Sequence, residues 1–426
     1  MLMKQQRGHM RKIIISGMIS NGLEWYDFAL YAFTALTISK QFFPAGNEAA
    51  HLLATFAIFA VGFVARPVGG IFFGVIGDRV GRRAALVISI FMMAIPTGCI
   101  GLLPTYAQIG MLAPFLLIAL RVLQGLSLGG AFSGSMTFLV EHAPHGKRGL
   151  VGSASIASLV IGFLLGSIVA WVFTLMLSPE HYESWGWRIP FLLGLPIGFI
   201  GLYIRKHCEE SPTYEAAKRE GTLSKTPVKD ALSHEWVRIF QAVGIYITVT
   251  MPFYLLSAYF ITFTEHSLGR SKEEALLLNT INMVILLVLA PLSAWLSDRV
   301  GRKKVMMFVA AGFLFFTYPI FGLLMQPVFS SILIAQALFA VLVALYIGPI
   351  AALLVEIFPT RVRYTGMSLS YNICAALFGG TAPMVCEWLV NTTGDRFSIA
   401  YYVMSCAVVS LVSLWFYKDR YENALA

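Results

Sequence analysis

Four ionisable side chains lie inside segments of the chain that are otherwise apolar: Glu24, Asp27, Arg66 and Arg121. A charged side chain inside a bilayer is costly unless it is paired or serves a function. A carboxylate whose ionisation is controlled by a nearby arginine can exchange a proton when that pairing changes. The four residues therefore indicate proton exchange within a membrane. The alternative is a set of permanent salt bridges that lock helices together.

The first of these segments places Glu24, Asp27 and Tyr31 on one helical face, because their spacing is i, i+3 and i+7. That face is expected to look into a cavity. Asp27, Glu24 and Arg121 are the predicted proton-coupling residues, and the sequence leaves open which acid carries the proton. The predicted substrate-binding residues are Arg66, Tyr26, Tyr31, Gln124, Tyr254, Tyr371 and Asn372, and the same cavity is expected to hold Trp25, Tyr259 and Tyr346.

The composition indicates which elements carry these side chains. The chain is 58% hydrophobic and 12% charged, whereas an ordinary soluble domain has roughly 25% charged residues. Twelve apolar segments are near or above the roughly 20 residues that a membrane-spanning helix needs. The predicted spans are 13–37, 52–76, 84–103, 111–140, 150–177, 187–204, 237–263, 274–297, 304–325, 329–358, 364–390 and 397–417. The acids in the first segment exclude a cleavable signal sequence.

The positive charge follows the topology of such a protein. With both termini in the cytosol, the cytosolic segments hold 24 of the 31 Lys and Arg residues. This asymmetry is the positive-inside rule, which sets the predicted orientation. The net charge of +9 is therefore a feature of topology, and no nucleic-acid partner is expected.

The two halves of the chain repeat one another. The pentapeptide DRVGR occurs at 78–82 and again at 298–302, and FLVEHAPHGKRGLVGS at 138–153 aligns with LLVEIFPTRVRYTGMS at 353–368. We therefore predict an all-α membrane protein with two pseudo-symmetric six-helix bundles, residues 1–204 and 237–426, joined by a cytosolic linker at 205–236. Such a duplication places a substrate site between the halves, near the middle of the membrane.

The repeated pentapeptide predicts a cytosolic gate whose charge pairs form when that side closes. The predicted gate residues are Asp78, Arg79, Arg82, Glu141, Asp298, Arg299, Arg302 and Glu356. The alternative is that the arginines only fix the topology.

Over essentially its whole length the chain resembles the major facilitator superfamily. The finer resemblance is to its metabolite:proton symporter branch, which includes carriers of α-ketoglutarate, citrate, shikimate and proline/betaine. It rests on NGLEWYDFALY (21–31), ARPVGGIFFGVIGDRVGRR (65–83), RVLQGLSLGG (121–130), WGWRIPF (185–191), EESP (209–212) and EIFPTRVRYTGMSLSYN (356–372). The resemblance implies alternating access and proton-driven uptake, and it does not name a substrate.

The sequence departs from that branch at two points. The branch usually has an acid after the paired glycines of the fourth helix, where this chain has Ala131. The osmosensing betaine carriers of the branch continue into a coiled coil, whereas this sequence ends at YKDRYENALA without heptads. Osmosensing is therefore not expected.

The predicted function is proton-coupled uptake of a small carboxylate-bearing metabolite. With Ala131 in place of an acid the intramembrane charges sum to zero, which favours a carboxylate and makes Arg66 a candidate fork for it. The alternatives are a zwitterion symporter, whose substrate could use tyrosine faces, and a proton-independent facilitator. We expect no enzyme, cofactor or metal, since the histidines lie at segment ends or in loops and the cysteines lack ligand spacing. We expect a monomer in the lipid bilayer of a bacterial inner membrane.

Overall fold

The computed structural model describes residues 2–43, 48–206 and 210–425. Within these residues all regular elements are helices, and twelve principal helices follow one another along the chain. They are α1 Leu2–Phe42, α2 Glu48–Arg79, α3 Arg82–Leu102, α4 Leu112–Glu141, α5 Ala154–Met176, α6 Gly194–Lys206, α7 Trp236–Tyr254, α8 Lys272–Val300, α9 Arg302–Leu324, α10 Phe329–Ile347, α11 Arg363–Cys374 and α12 Ser398–Phe416.

Shorter helical stretches extend or connect these helices. Arg148–Gly152 precedes α5, Arg188–Leu192 precedes α6, Ile350–Ile357 follows α10, and Thr360–Val362 precedes α11. Leu255–Tyr259, Phe260–Thr262 and Phe263–Ser267 continue α7, and Ala375–Gly379 and Ala382–Thr393 continue α11. Tyr106–Ile109, Pro179–His181 and Tyr182–Gly186 lie in loops.

The predicted all-α fold is confirmed. Among the described residues, ten helical stretches are long and apolar enough to cross a membrane, and they correspond to α2–α5 and α7–α12 with their extensions. α6 has 13 residues, fewer than the roughly 20 that a span needs, and Arg188–Leu192 lengthens it. α1 begins at Leu2, well before the predicted start at residue 13, because a polar sequence continues the helix.

The packing of the helices is the same under exchange of the two halves, α1–α6 and α7–α12. Within the halves, α2 packs on α4 and α8 packs on α10. Between the halves, α2 packs on α11 and α8 packs on α5. These two contacts are equivalent, because α8 corresponds to α2 and α11 corresponds to α5 in the repeat. The limits 1–204 and 237–426 for the two bundles stay a prediction.

Glycines bring α2 and α4 into backbone contact. A Cβ atom on Gly129 would lie 2.7 Å from the carbonyl carbon of Gly69, and one on Gly125 would lie 2.8 Å from the Cα of Gly62. Small residues of this kind allow transmembrane helices to approach closely. The contact fixes Arg66 on α2 against the helix that carries Arg121.

The linker contains two helices that the sequence interpretation missed, Pro212–Arg219 and Pro227–His234. The Ser211 hydroxyl accepts a hydrogen bond from the Tyr214 amide at 3.2 Å, so it caps the first of them. Each helix begins with proline directly after serine or threonine. A capping residue followed by proline at the first helical position is a known helix start, and this signal was present in the sequence.

Candidate functional site

Asp27 on α1 is the centre of a hydrogen-bond network inside the first half. Its carboxylate accepts hydrogen bonds from Arg121 Nη1 at 2.7 Å, Gln124 Nε2 at 2.8 Å and Thr97 Oγ1 at 3.0 Å. The Arg121 guanidinium carbon lies 3.6 Å from the centre of the Tyr31 ring. α1, α3 and α4 therefore meet around a carboxylate that has three donors. The structure brings these predicted residues together as one group.

Glu24 lies one helical turn earlier and is in a different environment. Its side chain is buried, and among the described residues neither of its carboxylate oxygens has a hydrogen-bond partner. Arg66 is also fully buried and lies within electrostatic range of Glu24. Its Nη1 donates to the Tyr254 hydroxyl at 3.2 Å, whereas Nε and Nη2 have no partner among the described residues. Buried polar atoms without partners are rare and require an explanation.

Aromatic rings from both halves surround this pair. The Phe63 ring lies 4.1 Å from the Arg66 guanidinium carbon. Trp25 contacts Phe253 and Tyr254 of α7, with ring centroids 5.7 and 6.5 Å apart. Tyr254 belongs to the second half, so its hydroxyl joins Arg66 across the interface. Arg66 and the aromatic rings of both halves are therefore in contact at the interface, within electrostatic range of Glu24.

A small cavity connects the two acids. It has a volume of about 10 Å³ and is lined by Glu24, Asp27, Arg121 and Gln124 together with apolar side chains. This volume is at the lower limit for one water molecule. The Glu24 carboxylate and the Asp27 network therefore border the same cavity.

The other predicted cavity residues are held in several places. Tyr371 packs against Phe132 and Tyr246, with ring centroids 5.0 and 5.5 Å apart, and lies within electrostatic range of Arg66. The structure does not bring Tyr26 to this group, because its hydroxyl donates to the Pro190 carbonyl at 2.6 Å.

Three further side chains of the predicted set make hydrogen bonds away from Glu24. Asn372 Nδ2 donates to the Gly129 carbonyl at 2.7 Å and so joins α11 to α4. Tyr346 donates to the Ile245 carbonyl at 3.0 Å, and Tyr259 donates to Glu387 at 3.0 Å.

The first DRVGR pentapeptide binds the start of α11. The Asp78 carboxylate accepts hydrogen bonds from the backbone amides of Tyr364 at 3.2 Å and Thr365 at 2.9 Å. Arg82 lies 3.2 Å from Asp78 and 3.3 Å from Glu141. A carboxylate at a helix N-terminus is stabilised by the unpaired amides and by the helix dipole. An acid of the first half thus caps a helix of the second half.

The second pentapeptide makes the equivalent contact in the opposite direction. Asp298 accepts hydrogen bonds from the backbone amides of Gly149 at 2.8 Å and Leu150 at 2.9 Å, at the helical turn before α5. Arg302 lies 2.7 Å from Asp298 and 3.3 Å from Glu356. Each half therefore caps a helix of the other, and the end that holds both pentapeptides (the DRVGR end) is closed.

Two arginines that the sequence interpretation missed complete these clusters. Arg363 lies 2.8 Å from Glu141 across the interface, and Arg148 lies 3.6 Å from Glu356. Both occupy corresponding places in the aligned repeats, which was the available signal. The predicted gate residues Arg79 and Arg299 are exposed and lie outside the clusters. Arg299 instead contacts the Trp295 ring, at 4.0 Å from its centre.

The segments that follow each half also supply a capping acid. Glu210 in the linker accepts a hydrogen bond from the Arg83 amide at 3.1 Å, and Asp419 accepts one from the Lys303 amide at 2.9 Å. Burial raises the pKa of Glu210 above its ordinary range. Ser211 next to it donates a hydrogen bond to Glu141. The linker and the C-terminal residues thus bind the same DRVGR end.

Comparison with known proteins identifies the family. The family profile described as Sugar (and other) transporter matches residues 13–243, and the profile described as Major Facilitator Superfamily matches residues 242–425. The chain belongs to the major facilitator superfamily. It is thus a multi-pass integral membrane protein and a secondary transporter, and the expectation that it is a transporter rather than an enzyme is confirmed.

Similar curated members of the superfamily carry related names. The glycine betaine/proline/ectoine/pipecolic acid transporter OusA of Dickeya dadantii (strain 3937) is 34% identical, over 98% of this chain and 85% of its own length. The proline/betaine transporter of Salmonella typhimurium is 35% identical, over 95% of this chain and 83% of its own length. A putative proline/betaine transporter of Staphylococcus aureus (strain MSSA476) is 36% identical, over 95% and 88%. These relatives do not support specificity for organic acids.

Solved structures of the superfamily show the same fold. The proton:xylose symporter XylE bound to 6-bromo-6-deoxy-D-glucose matches with a TM-score of 0.82 and 19% identity, over 98% of both chains. The inward open conformation of XylE from E. coli matches with a TM-score of 0.65 and 19% identity, over 98% of both chains.

Proposed function

We propose that this chain is a proton-coupled symporter of a bacterial inner membrane for a small zwitterion of the proline and betaine kind. The observation that carries the proposal is the buried pair of Glu24 and Arg66, whose carboxylate oxygens and two guanidinium nitrogens have no hydrogen-bond partner among the described residues. The names of the similar proteins support the same substrate class. The sequence analysis predicted a substrate that bears a carboxylate. A zwitterion also bears one, and we propose it in place of an organic acid.

Arg66 is assigned to the carboxylate of the substrate. Its guanidinium is planar and keeps Nε and Nη2 without partners among the described residues, so it offers two parallel donors to one carboxylate. The stacked Phe63 ring and the Tyr254 hydroxyl fix the plane of the guanidinium. A lysine would supply the charge without this geometry.

The aromatic rings are assigned to the ammonium group. Trp25, Phe28 and Tyr254 have ring centroids 5.2 to 6.5 Å apart, so the three rings form one aromatic cluster. A cation over an aromatic face gains about 0.5–2 kcal/mol, and quaternary ammonium groups are recognised in this way. A dicarboxylate has no group that such faces attract.

Glu24 is assigned to the coupled proton. The Asp27 carboxylate has three hydrogen-bond donors, whereas the Glu24 carboxylate has none among the described residues. An ionised carboxylate without donors is costly to bury, and protonation removes that cost. Protonation of Glu24 also removes its attraction for Arg66, so the guanidinium becomes available to the substrate carboxylate. Proton and substrate therefore bind together, and release of either favours release of the other.

Uptake by purified protein in proteoliposomes tests the proposal. We expect radiolabelled glycine betaine and proline to accumulate under an inside-alkaline pH gradient, and the accumulation to collapse when the gradient is dissipated. α-Ketoglutarate and citrate should neither accumulate nor compete. Accumulation of the organic acids without betaine would refute the substrate class, and betaine uptake that ignores the gradient would identify a facilitator.

A further inference from the structure

The side chain of Tyr364, at the start of α11, is buried in the first half at the DRVGR end. It is fully buried, although its helix belongs to the second half. Its ring packs in one apolar cluster with Phe73 of α2 and Ala85 of α3. Its hydroxyl donates a hydrogen bond to the Gly130 carbonyl of α4 at 2.8 Å. A residue of one half therefore belongs to the packed interior of the other.

Glycines of α2 and α4 make the space for this ring. A Cβ atom on Gly77 would lie 2.6 Å from Tyr364 Cγ, and one on Gly134 would lie 2.9 Å from Tyr364 Cζ. Non-bonded carbon atoms pack at about 3.5–4.0 Å, so a larger residue at either position would displace the ring. Gly77, Gly130 and Gly134 thus form a socket for Tyr364 (the glycine socket).

The equivalent contact between α8 and the turn before α5 is built differently. In the repeat the counterpart of Tyr364 is Gly149, which has no side chain to insert. A Cβ on Gly149 would lie 2.6 Å from the carbonyl oxygen of Ala294, so backbone meets backbone there. The first and third glycines of the socket correspond to larger residues, Ser297 and Pro349. The aromatic residue therefore occurs together with glycine partners, and the glycine occurs with larger ones.

We propose that Tyr364 is a gating residue, whose ring must leave the glycine socket before the DRVGR end can open. The Asp78 carboxylate accepts a hydrogen bond from the amide of the same residue at 3.2 Å, so the first half binds Tyr364 through both its backbone and its side chain. Opening moves α11 away from α2 and α4, which exposes the ring to water and separates the hydroxyl from Gly130. This step slows opening to the same extent for every substrate.

The first test measures hydrogen–deuterium exchange of the full-length protein in lipid nanodiscs, at the amides of Gly149 and Leu150. Asp298 caps these amides in the other contact between the halves, so they report opening of the whole end. Tyr364→Ala should raise the ratio of open to closed protein roughly hundredfold, since truncation of a buried aromatic side chain is among the largest losses of packing. Tyr364→Phe keeps the ring and should raise that ratio roughly tenfold at most.

Exchange in the middle of α9, which packs on α10 and α12, separates gating from a general loss of stability. A gating residue raises exchange at Gly149 and Leu150 and leaves exchange in α9 as in the wild type. An increase by the same factor in α9, or wild-type exchange at Gly149 and Leu150 in Tyr364→Ala, would overturn the proposal.

A change in the glycine socket tests the same contact from the first half. Gly77→Ala should exclude the ring, because the three heavy atoms nearest to the new Cβ all belong to Tyr364. It should therefore raise exchange at Gly149 and Leu150 in the wild-type background. In Tyr364→Ala the same change should add little, because the ring that it displaces is gone. An equal effect of Gly77→Ala in both backgrounds would contradict the proposal.

Gly322→Ala is the matched control for the added methyl group. Among the described residues, no heavy atom outside its own stretch of α9 lies within 4 Å of a Cβ at this position. The change should leave exchange at both capped turns as in the wild type. Faster exchange in Gly322→Ala, equal to that in Gly77→Ala, would show that the socket is not what the Gly77 change disturbs and would refute the gating role.

Discussion

Asp78→Asn should open the DRVGR end, and the size of the effect follows from its contacts. The Asp78 carboxylate is fully buried and uses both oxygens to accept amides at the start of α11. Asparagine keeps one oxygen and turns an NH₂ group towards the other amide. The change removes about 1.5–3 kcal/mol for a hydrogen bond to a charged acceptor and about 0.3–1 kcal/mol of interaction with the helix dipole.

The sum is about 2–4 kcal/mol against the closed end, since this contact exists only when the halves meet. At about 1.4 kcal/mol per factor of ten, the ratio of open to closed protein rises roughly 30-fold to 700-fold. Uptake should fall sharply while the protein still reaches the membrane. Asp298→Asn removes the equivalent contact and should produce an effect of the same size.

Hydrogen–deuterium exchange of the two capped turns distinguishes opening from local loss of a cap. In Asp78→Asn the amides of Tyr364 and Thr365 lose their acceptor and should exchange faster in either case. The amides of Gly149 and Leu150, which Asp298 caps, exchange faster only if the whole end opens. We expect faster exchange at both turns.

Asp395→Asn serves as the control, because Asp395 also accepts a backbone amide, that of Phe397 at 2.8 Å, in an exposed loop. Asp395→Asn should leave the exchange rates of the amides at both capped turns unchanged. Wild-type uptake together with unchanged exchange at Gly149 and Leu150 would refute the gating argument and leave the pentapeptides as signals of topology.

Four further changes test the central site and the linker. Arg66→Lys should weaken betaine binding at least tenfold in calorimetry with little change in Tm, because the charge stays and the planar fork is lost; normal affinity would remove Arg66 from the substrate site. Glu24→Gln should keep exchange of labelled for unlabelled substrate and lose accumulation driven by the pH gradient. Asp27→Asn should in addition lower the Tm, since it leaves Arg121 buried without its counter-ion. Accumulation that is retained in Glu24→Gln but lost in Asp27→Asn would assign the coupled proton to Asp27 instead. Burial raises the pKa of Glu210 above 4.5. The contribution of the protonated Glu210 to stability is therefore present below that pH and is lost as the pH rises through the folded pKa. Glu210→Gln should flatten the fall of Tm above pH 4.5, and an unchanged pH profile would contradict this.

The positions of the helices could be predicted because long apolar runs report burial in lipid directly. The predicted segment 304–325 corresponds to α9, Arg302–Leu324, and 397–417 corresponds to α12, Ser398–Phe416. The extension of α1 to Leu2 could not be found in this way, because hydropathy detects apolar segments and does not detect a helix in a polar sequence. The linker helices were missed for the same reason, although their serine–proline and threonine–proline starts were visible.

The kinds of residue at the centre could be predicted, but their pairing could not. Helical spacing placed Glu24 and Asp27 on one face, and the cost of buried charge marked Arg66 and Arg121. Which acid meets which arginine depends on how α1 packs against α2 and α4, and therefore on contacts far apart in sequence. Tyr26 shows the limit, because a tyrosine next to these acids donates instead to the carbonyl of Pro190.

The contact of Trp25 with Phe253 and Tyr254 makes this side chain an optical reporter of the transport cycle. Its indole is 3% exposed and packs against rings of the opposite half, so separation of the halves on that side would bring water to it. Indole emission moves to longer wavelength in a more polar environment. The other seven tryptophans contribute a background emission, which can be measured in Trp25→Phe and subtracted. Stopped-flow fluorescence of the unlabelled protein could then follow closure around the substrate in real time, without a dye or an engineered cysteine.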